Sequence, residues 1–307
     1  MIKDDKVKDT KNRIESKTSR TAEFTCMARS MSFFEKSPEY KSNDYIAPLL
    51  LPKFFIPVVK IKIIRRLFLK RFFAKGMYEY VIARTKFIDS VFLKAISNEF
   101  DQILIFGAGF DSRGIRFAGL NTKTRIFELD APVTQKAKID QFKKRKIEIN
   151  PNIVFIPINF NKESVKEKLL EAGFKKNKKS LFILEGLTMY LDFEAVDNTF
   201  DVINKFAGED SEVVFDYIYS SVLREENLYY GEAEVFNGVK KEKEPWCFGI
   251  EKGEIKSFLK DKKLNLVRNL NSNDLEKEFF TDKQGNRVTR INGTHCIVYA
   301  RKGEINN

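Results

Sequence analysis

Five short runs of continuous apolar residues, separated by charged segments of helical length, constrain this chain more than any other feature. The runs are QILIFG (102–107), TRIFEL (124–129), NIVFIPI (152–158), SLFILE (180–185) and EVVFDY (212–217). Strands that are apolar throughout, rather than on alternate residues, are buried on both faces, which requires a parallel sheet covered by helices on each side. Residues 131–146, 162–172 and 193–206 supply covering helices, and 77–97 reads as a long helix ahead of the first strand. A helix near 252–260, a strand at 264–268 and a last strand, HCIVYARK (295–302), complete the pattern. The expected fold is α/β: a doubly wound, mostly parallel, seven-stranded sheet with an N-terminal helical cap. The expected segments are a flexible N-terminus (1–20), a helical cap or lid (21–98) and a Rossmann-like domain (99–307).

The 307 residues, 43% hydrophobic and 32% charged, are enough to bury a core without a metal or disulfide staple. Cys26, Cys247 and Cys296 are far apart and odd in number, which argues against a disulfide framework and a cysteine zinc site. A single histidine, His295, excludes every mechanism that needs two, and no metal is expected. No apolar run reaches the roughly 18 residues of a membrane-spanning helix. The first twenty residues are polar and charge-mixed, so no signal peptide is read there and the cytoplasm is the expected compartment.

The net charge of +12 is concentrated. Between Lys53 and Lys75 lie Lys60, Lys62, Arg65, Arg66, Lys70 and Arg71, with no acid among them. Phosphates, acidic lipids and anionic substrates would all be drawn to such a stretch. At about 100° per residue its charges scatter round the whole helix circumference, and at about 180° they fall on both faces. A membrane-surface helix would segregate them. The expectation is therefore a bent lid with its aromatic side chains facing inward, capable at most of a weak membrane-surface contact.

In open α/β sheets ligands bind at the carboxyl ends of the strands. The first strand runs into Gly107-Ala108-Gly109-Phe110-Asp111-Ser112-Arg113, where glycines let backbone approach a ligand at a helix start. The second ends in Glu128-Leu129-Asp130, about 20 residues on, the distance at which an acid meets ribose hydroxyls. A nucleoside fits both. The dinucleotide fingerprint would place a third glycine where Ser112 stands, after the acidic Asp111. That carboxylate would repel a pyrophosphate, whereas the zwitterionic amino-acid portion of S-adenosylmethionine tolerates it.

Four blocks in this order, ARTKFID (83–89), GAGFDSR (107–113), FELDAP (127–132) and EGLTMYL (185–191), resemble the leucine carboxyl methyltransferase family. These are class I S-adenosylmethionine-dependent O-methyltransferases, and the likeness is to bacterial, polyketide O-methyltransferase-like members. It covers roughly residues 21–207, with a weaker echo at EPWCFGI (244–250). The resemblance implies that Arg84 grips the cofactor carboxylate, that Gly107 and Gly109 form the cofactor loop, and that Asp130 takes the ribose. Glu128, one pleat away, could serve equally. The family's Asp-Leu pair at the adenine reads Asn159-Phe160 here, a departure in which Asn can still accept and Phe can stack. Glu185 would lie near the methionine part of the cofactor, with Gly186 and Tyr190 on the acceptor side.

The implied partner is a small-molecule methyl acceptor. No Asn/Asp-Pro-Pro-aromatic motif follows the fourth strand, which counts against nucleic-acid methylation, and no nucleic-acid partner is expected. An ionised carboxylate acceptor needs no base, whereas a hydroxyl does, and His295 and Tyr190 are the candidate catalytic residues. Arg29 and Arg113 are further candidates to orient the acceptor. Phe54, Phe55, Phe68, Phe72 and Phe73 would either shape an apolar acceptor site or pack as plain core, and Trp246 stands under the same choice. The competing readings are an RNA-binding or RNA-modifying protein that uses residues 53–75, and a catalytically silent nucleoside binder.

Overall fold

The computed structural model describes residues 18–121, 123–160, 162–242 and 245–303. Of the stretch expected to be flexible, residues 1–17 lie outside these. The described chain opens with α1 (Arg20–Phe33), started by the Ser19 side chain accepting from Ala22 N–H. Three short helices follow, α2 (Ala47–Leu50), α3 (Ile56–Lys60) and α4 (Lys62–Phe72). Pro48 and Pro57 sit in the first turns of α2 and α3, where the missing N–H costs nothing. Arg65 pins α4 down: its guanidinium is buried, bonding Glu35 and the Val59 carbonyl at 2.8 Å each.

The long helix α5 (Met77–Ser97) has the bounds expected of it. It begins at Gly76, held in the left-handed region at φ 73° with its carbonyl accepting from Asn292 N–H. A Cβ at residue 76 would stand 2.3 Å from that nitrogen.

The sheet strands are β1 (Gln102–Phe106), β2 (Arg125–Asp130), β3 (Ile153–Pro157), β4 (Ser180–Leu184), β5 (Glu212–Ile218), β6 (Asn265–Leu270) and β7 (His295–Arg301). They lie in the order β3-β2-β1-β4-β5-β7-β6. β1 to β5 are mutually parallel, while β7 runs antiparallel to both β5 and β6. The continuous apolar runs are explained by burial on both faces. Ile103, Ile105, Ile183 and Val214 join α1 and α5 in one core, and Leu104, Phe106, Phe182 and Phe215 form a second core on the opposite face. Phe200 and Ile203 of the helix Phe193–Phe206 close that second core.

Two helices, Glu232–Glu242 and Ser272–Phe279, occupy stretches in which no helix is read from the sequence. Each is short and mostly polar. The second is held by an Asn271/Asp274 capping box and by its buried Leu275, not by a long apolar stripe.

Because the cap joins α5 through Gly76, Gly76→Ala should lower stability by at least about 2 kcal/mol, combining left-handed backbone with a backbone overlap. Urea denaturation measures this, and an unchanged midpoint would refute the close approach.

Candidate active site

Strand order reverses beside β1: β2 and β3 lie on one side of it, β4 and β5 on the other. That is where open α/β sheets leave a crevice at their carboxyl edge. Asp130, Gly107–Arg113, Glu185–Tyr190 and Asp216 all issue onto it.

Asp216 on β5 is completely buried. Its carboxylate accepts from Tyr80 Oη at 2.9 Å, Arg84 Nη1 at 2.6 Å and Gly186 N–H at 2.6 Å. Tyr80 and Arg84 are one helical turn apart on α5, so a single face of that helix delivers both donors. Arg84 Nε lies 3.1 Å from Glu185 Oε1, out of hydrogen-bond alignment. Glu185 also receives Arg113 Nη1 at 2.8 Å, and Arg113 bonds Asp111 and, at 2.8 Å, Asp89. Asp89 takes a bidentate fork from Arg116 at 2.7 and 2.8 Å. Asp44, held by Arg116 at 3.4 Å and Arg29 at 3.5 Å, carries the network into the cap. Burial would raise the Glu185 carboxyl, but Arg113, Arg84 and Arg29 hold it down at about 2.

A cavity of about 750 Å³ lies above this network, between the sheet edge and the cap. Arg84, Gly186, Tyr190 and His295 lie at its sheet end, and Arg20, Glu23, Gln141 and Glu234 are further polar residues of its wall. Phe24, Phe54, Phe55, Phe68 and Phe72 line the cap side, and Trp246 and Val235 stand opposite in the chain's later half. Toward β2 the cavity runs past Phe110 to Ala137 and Gln141. His295 packs on Tyr80 at 4.5 Å between ring centres and edge-on to Trp246 at 5.3 Å. Burial, with Arg84 nearby, lowers its imidazole to about 3, so it is neutral across the physiological range.

The residues singled out from sequence meet different fates. Arg84 is 5% exposed and lines the cavity, which removes the alternative of a helix-surface arginine. Tyr190 and His295 share that wall, and Thr21 of α1 reaches the Tyr190 hydroxyl at 3.4 Å. Gly107 and Gly109 both take positive φ, and Gly109 N–H donates to Asp130 at 2.5 Å. Glu128 points under the edge to a buried bond with Lys138; burial, offset by Lys138, raises its carboxyl to about 7. Asn159 and Phe160 follow β3 outside the cavity wall, and Phe160 is exposed. Arg29 and Arg113, candidates to orient an acceptor, are instead locked beneath the rim by Asp44, the Phe110 carbonyl, Asp111, Asp89 and Glu185. Four of the five lid phenylalanines line the cavity, but Phe54 and Phe72 are also 71% and 59% exposed, so the aromatics do not all face inward. Asp216 and Asp89 went unread as site residues; the available signals were an acid inside the apolar EVVFDY and the acid that closes ARTKFID.

The lowered Glu185 carboxyl contributes stability above pH 4.5, lost as pH falls toward about 2. Glu185→Gln, which takes one carboxylate from Arg84 and Arg113 and leaves them Asp216, Asp111 and Asp89, should therefore cost about 3 kcal/mol at neutral pH and flatten the acid limb of the stability curve. Urea melts at neutral and acid pH test this; parallel curves for the two proteins would contradict it.

Residues 24–204 match the family model for leucine carboxyl methyltransferase. YktD of Bacillus subtilis, provisionally named an S-adenosyl-L-methionine-dependent methyltransferase, is 26% identical over 223 residues, 72% of each chain. A relative of the same provisional name from Mycobacteroides abscessus is 32% identical over 133 residues, 42% of each chain. Among solved structures, a provisionally named methyltransferase from Thermobifida fusca superposes with a TM-score of 0.58 at 12% identity, covering 93% of this chain and 98% of that one. A DUF574 family protein from Streptomyces avermitilis gives 0.55 at 12% identity over 95% and 100%. At that identity the two structures speak to the fold alone. A family model spanning more than half of the sequence places the chain in the leucine carboxyl methyltransferase family.

Proposed function

We propose that this chain, an S-adenosyl-L-methionine-dependent methyltransferase, transfers methyl to a carboxylate oxygen of a small, largely apolar metabolite in the cytoplasm. The observation that carries the reading is the cavity itself: phenylalanine walls lead to the sheet end, where His295, held at about 3, takes up no proton near neutrality. A carboxylate acceptor arrives ionised and asks for none.

The residues present fit the cofactor. Arg84 lines the cavity, and its Nε, 3.1 Å from Glu185 Oε1, makes no hydrogen bond, so its planar guanidinium is suited to a carboxylate. A Cβ at residue 186 would stand 3.1 Å from Arg84 Nη1, so Gly186 leaves that guanidinium uncovered. In this reading Arg84, backed by Arg113, holds the cofactor carboxylate, and Glu185 faces its ammonium. Gly107 and Gly109 turn the first loop with positive φ, and Leu187 and Ala22, at 3.2 and 2.9 Å from where their Cβ atoms would stand, bound the cofactor's approach there. Asp130, whose two oxygens meet only the backbone amides of Gly109 and Ala131 and keep lone pairs, takes the ribose in preference to Glu128, whose charge is paired with Lys138. Asn159 and Phe160 flank the adenine at the end of β3. S-adenosylmethionine supplies an electrophilic methyl on a sulfonium, and displacement there depends chiefly on alignment. Tyr190 and the apolar wall orient the acceptor.

A second reading, a hydroxyl acceptor, draws on one contact. Thr294 Oγ1 donates to Asn292 Oδ1 at 2.5 Å and lies 2.7 Å from His295 Nδ1. Its one proton being spent on Asn292, it accepts from Nδ1–H and leaves Nε2 as a lone pair that could receive a hydroxyl proton.

Two outcomes are expected. Asp130→Asn should weaken S-adenosylmethionine binding by roughly tenfold or more in calorimetry, since a charge-assisted bond is lost, while Glu128→Gln changes it little. Equal effects would remove the distinction between the two acids. His295→Asn should keep turnover of a carboxylate acceptor within about threefold, with kcat/KM flat from about pH 6 to about pH 9. A fall of about a hundredfold with the fold intact would select the hydroxyl instead.

A further inference from the structure

On α4 the inward side is set by Arg65, buried against Glu35, and by Leu69 one turn on. At about 100° per residue, Ile63 and Leu67 then point to the opposite, outermost side. They are 72% and 63% exposed. Arg66 and Lys70 flank this aliphatic stripe on one edge and Arg71 on the other, all exposed. Ile61 and Phe54 extend the exposed apolar surface. No acid lies anywhere between residues 53 and 75. Phe54 and Phe72 belong both to this exposed surface and to the cavity wall, so the cavity opens beside α4.

We propose that the outer face of α4 docks on an anionic lipid bilayer, with the cavity mouth against the membrane. Aliphatic side chains that cap a helix in water are out of place unless something covers them. At a bilayer they enter the boundary between headgroups and acyl chains, while flanking lysines and arginines reach back to the phosphates. The other coverings fit less well. A second copy of this face would bring two strongly basic surfaces together. A polynucleotide would use the basic residues and the Phe54 and Phe72 rings, but it would leave the aliphatic stripe of Ile63 and Leu67 uncovered. Resting on the cavity as acceptor site, the docking also names the source of the acceptor: an amphiphilic acid that enters from the membrane past Phe54 and Phe72.

The test is co-sedimentation of the full-length protein with phosphatidylcholine vesicles, with and without phosphatidylglycerol, at low and high salt. Binding should require phosphatidylglycerol and weaken with salt. Ile63→Asn with Leu67→Asn, which leaves the charge unchanged, should reduce it by on the order of tenfold, as should Arg66→Gln, Lys70→Gln and Arg71→Gln together. No sedimentation at low salt, or equal sedimentation of the Ile63/Leu67 variant, would overturn the proposal. So would tighter binding to an RNA homopolymer than to vesicles, or a dimer in sedimentation velocity that the Ile63/Leu67 variant abolishes. Methylation assays separate the two readings. The Ile63/Leu67 variant should methylate a detergent-dispersed fatty acid as wild type does, but lose activity on the same acid in vesicles. If wild type methylates neither yet still sediments with vesicles, the acceptor assignment fails and the docking stands.

Discussion

A fully buried carboxylate, Asp216, governs the arrangement at the carboxyl edge of the sheet. Left alone there it would carry a large desolvation penalty. Its compensation comes from three directions at once: Tyr80 and Arg84 from α5, and the Gly186 amide from the turn after β4. Once Arg84 is committed, Glu185 can be ionised beside it, Arg113 beside Glu185, Asp89 and Arg116 next, and finally Asp44 and Arg29 of the cap. Such a chain of buried ions adds little net stability relative to apolar packing of the same volume. Removal of any member takes a partner from its neighbours, and this ties the cap and α5 to the strand ends.

The same network separates two chemistries across a few ångströms. Beneath the rim, buried acids and arginines are paired in a continuous chain, and of its members Arg84 lines the cavity. Above it, phenylalanine, valine and tryptophan make up much of the wall, with Arg20, Glu23, Gln141 and Glu234 among its polar residues. Among the described residues no helix is long and apolar enough to cross a membrane. The apolar surface of α4 is instead short, one-sided and fringed with cations.

Much of this could be read along the chain. The parallel strands announced themselves as doubly buried runs, and Arg84, Glu185, Gly107 and Asp130 stood in blocks with a recognisable order. Asp216 was equally visible as a lone acid inside EVVFDY, yet nothing along the chain tells which cation a buried acid will meet. The basic stretch divides at a definite place. Taken as one helix, 53–75 scatters its charges, but Pro57 starts α3 and the extended Ile61 ends it, so the helical phase restarts at Lys62. Within α4 alone, the charges do flank an aliphatic stripe. Periodicity is informative only inside an unbroken element.

Sequence alone determined the class of fold and the kind of chemistry at its edge, because burial on both faces dictates composition residue by residue, and glycine turns and strand-terminal acids are local features. Tertiary structure decided the partnerships: Glu128 turned to Lys138, Asp130 to Gly109, Arg113 drawn beneath the rim, His295 stripped of its proton, and β7 reversed between β5 and β6. Each depends on groups brought together from distant parts of the chain, where the free energy of a charge is set by its neighbours in space and its distance from water.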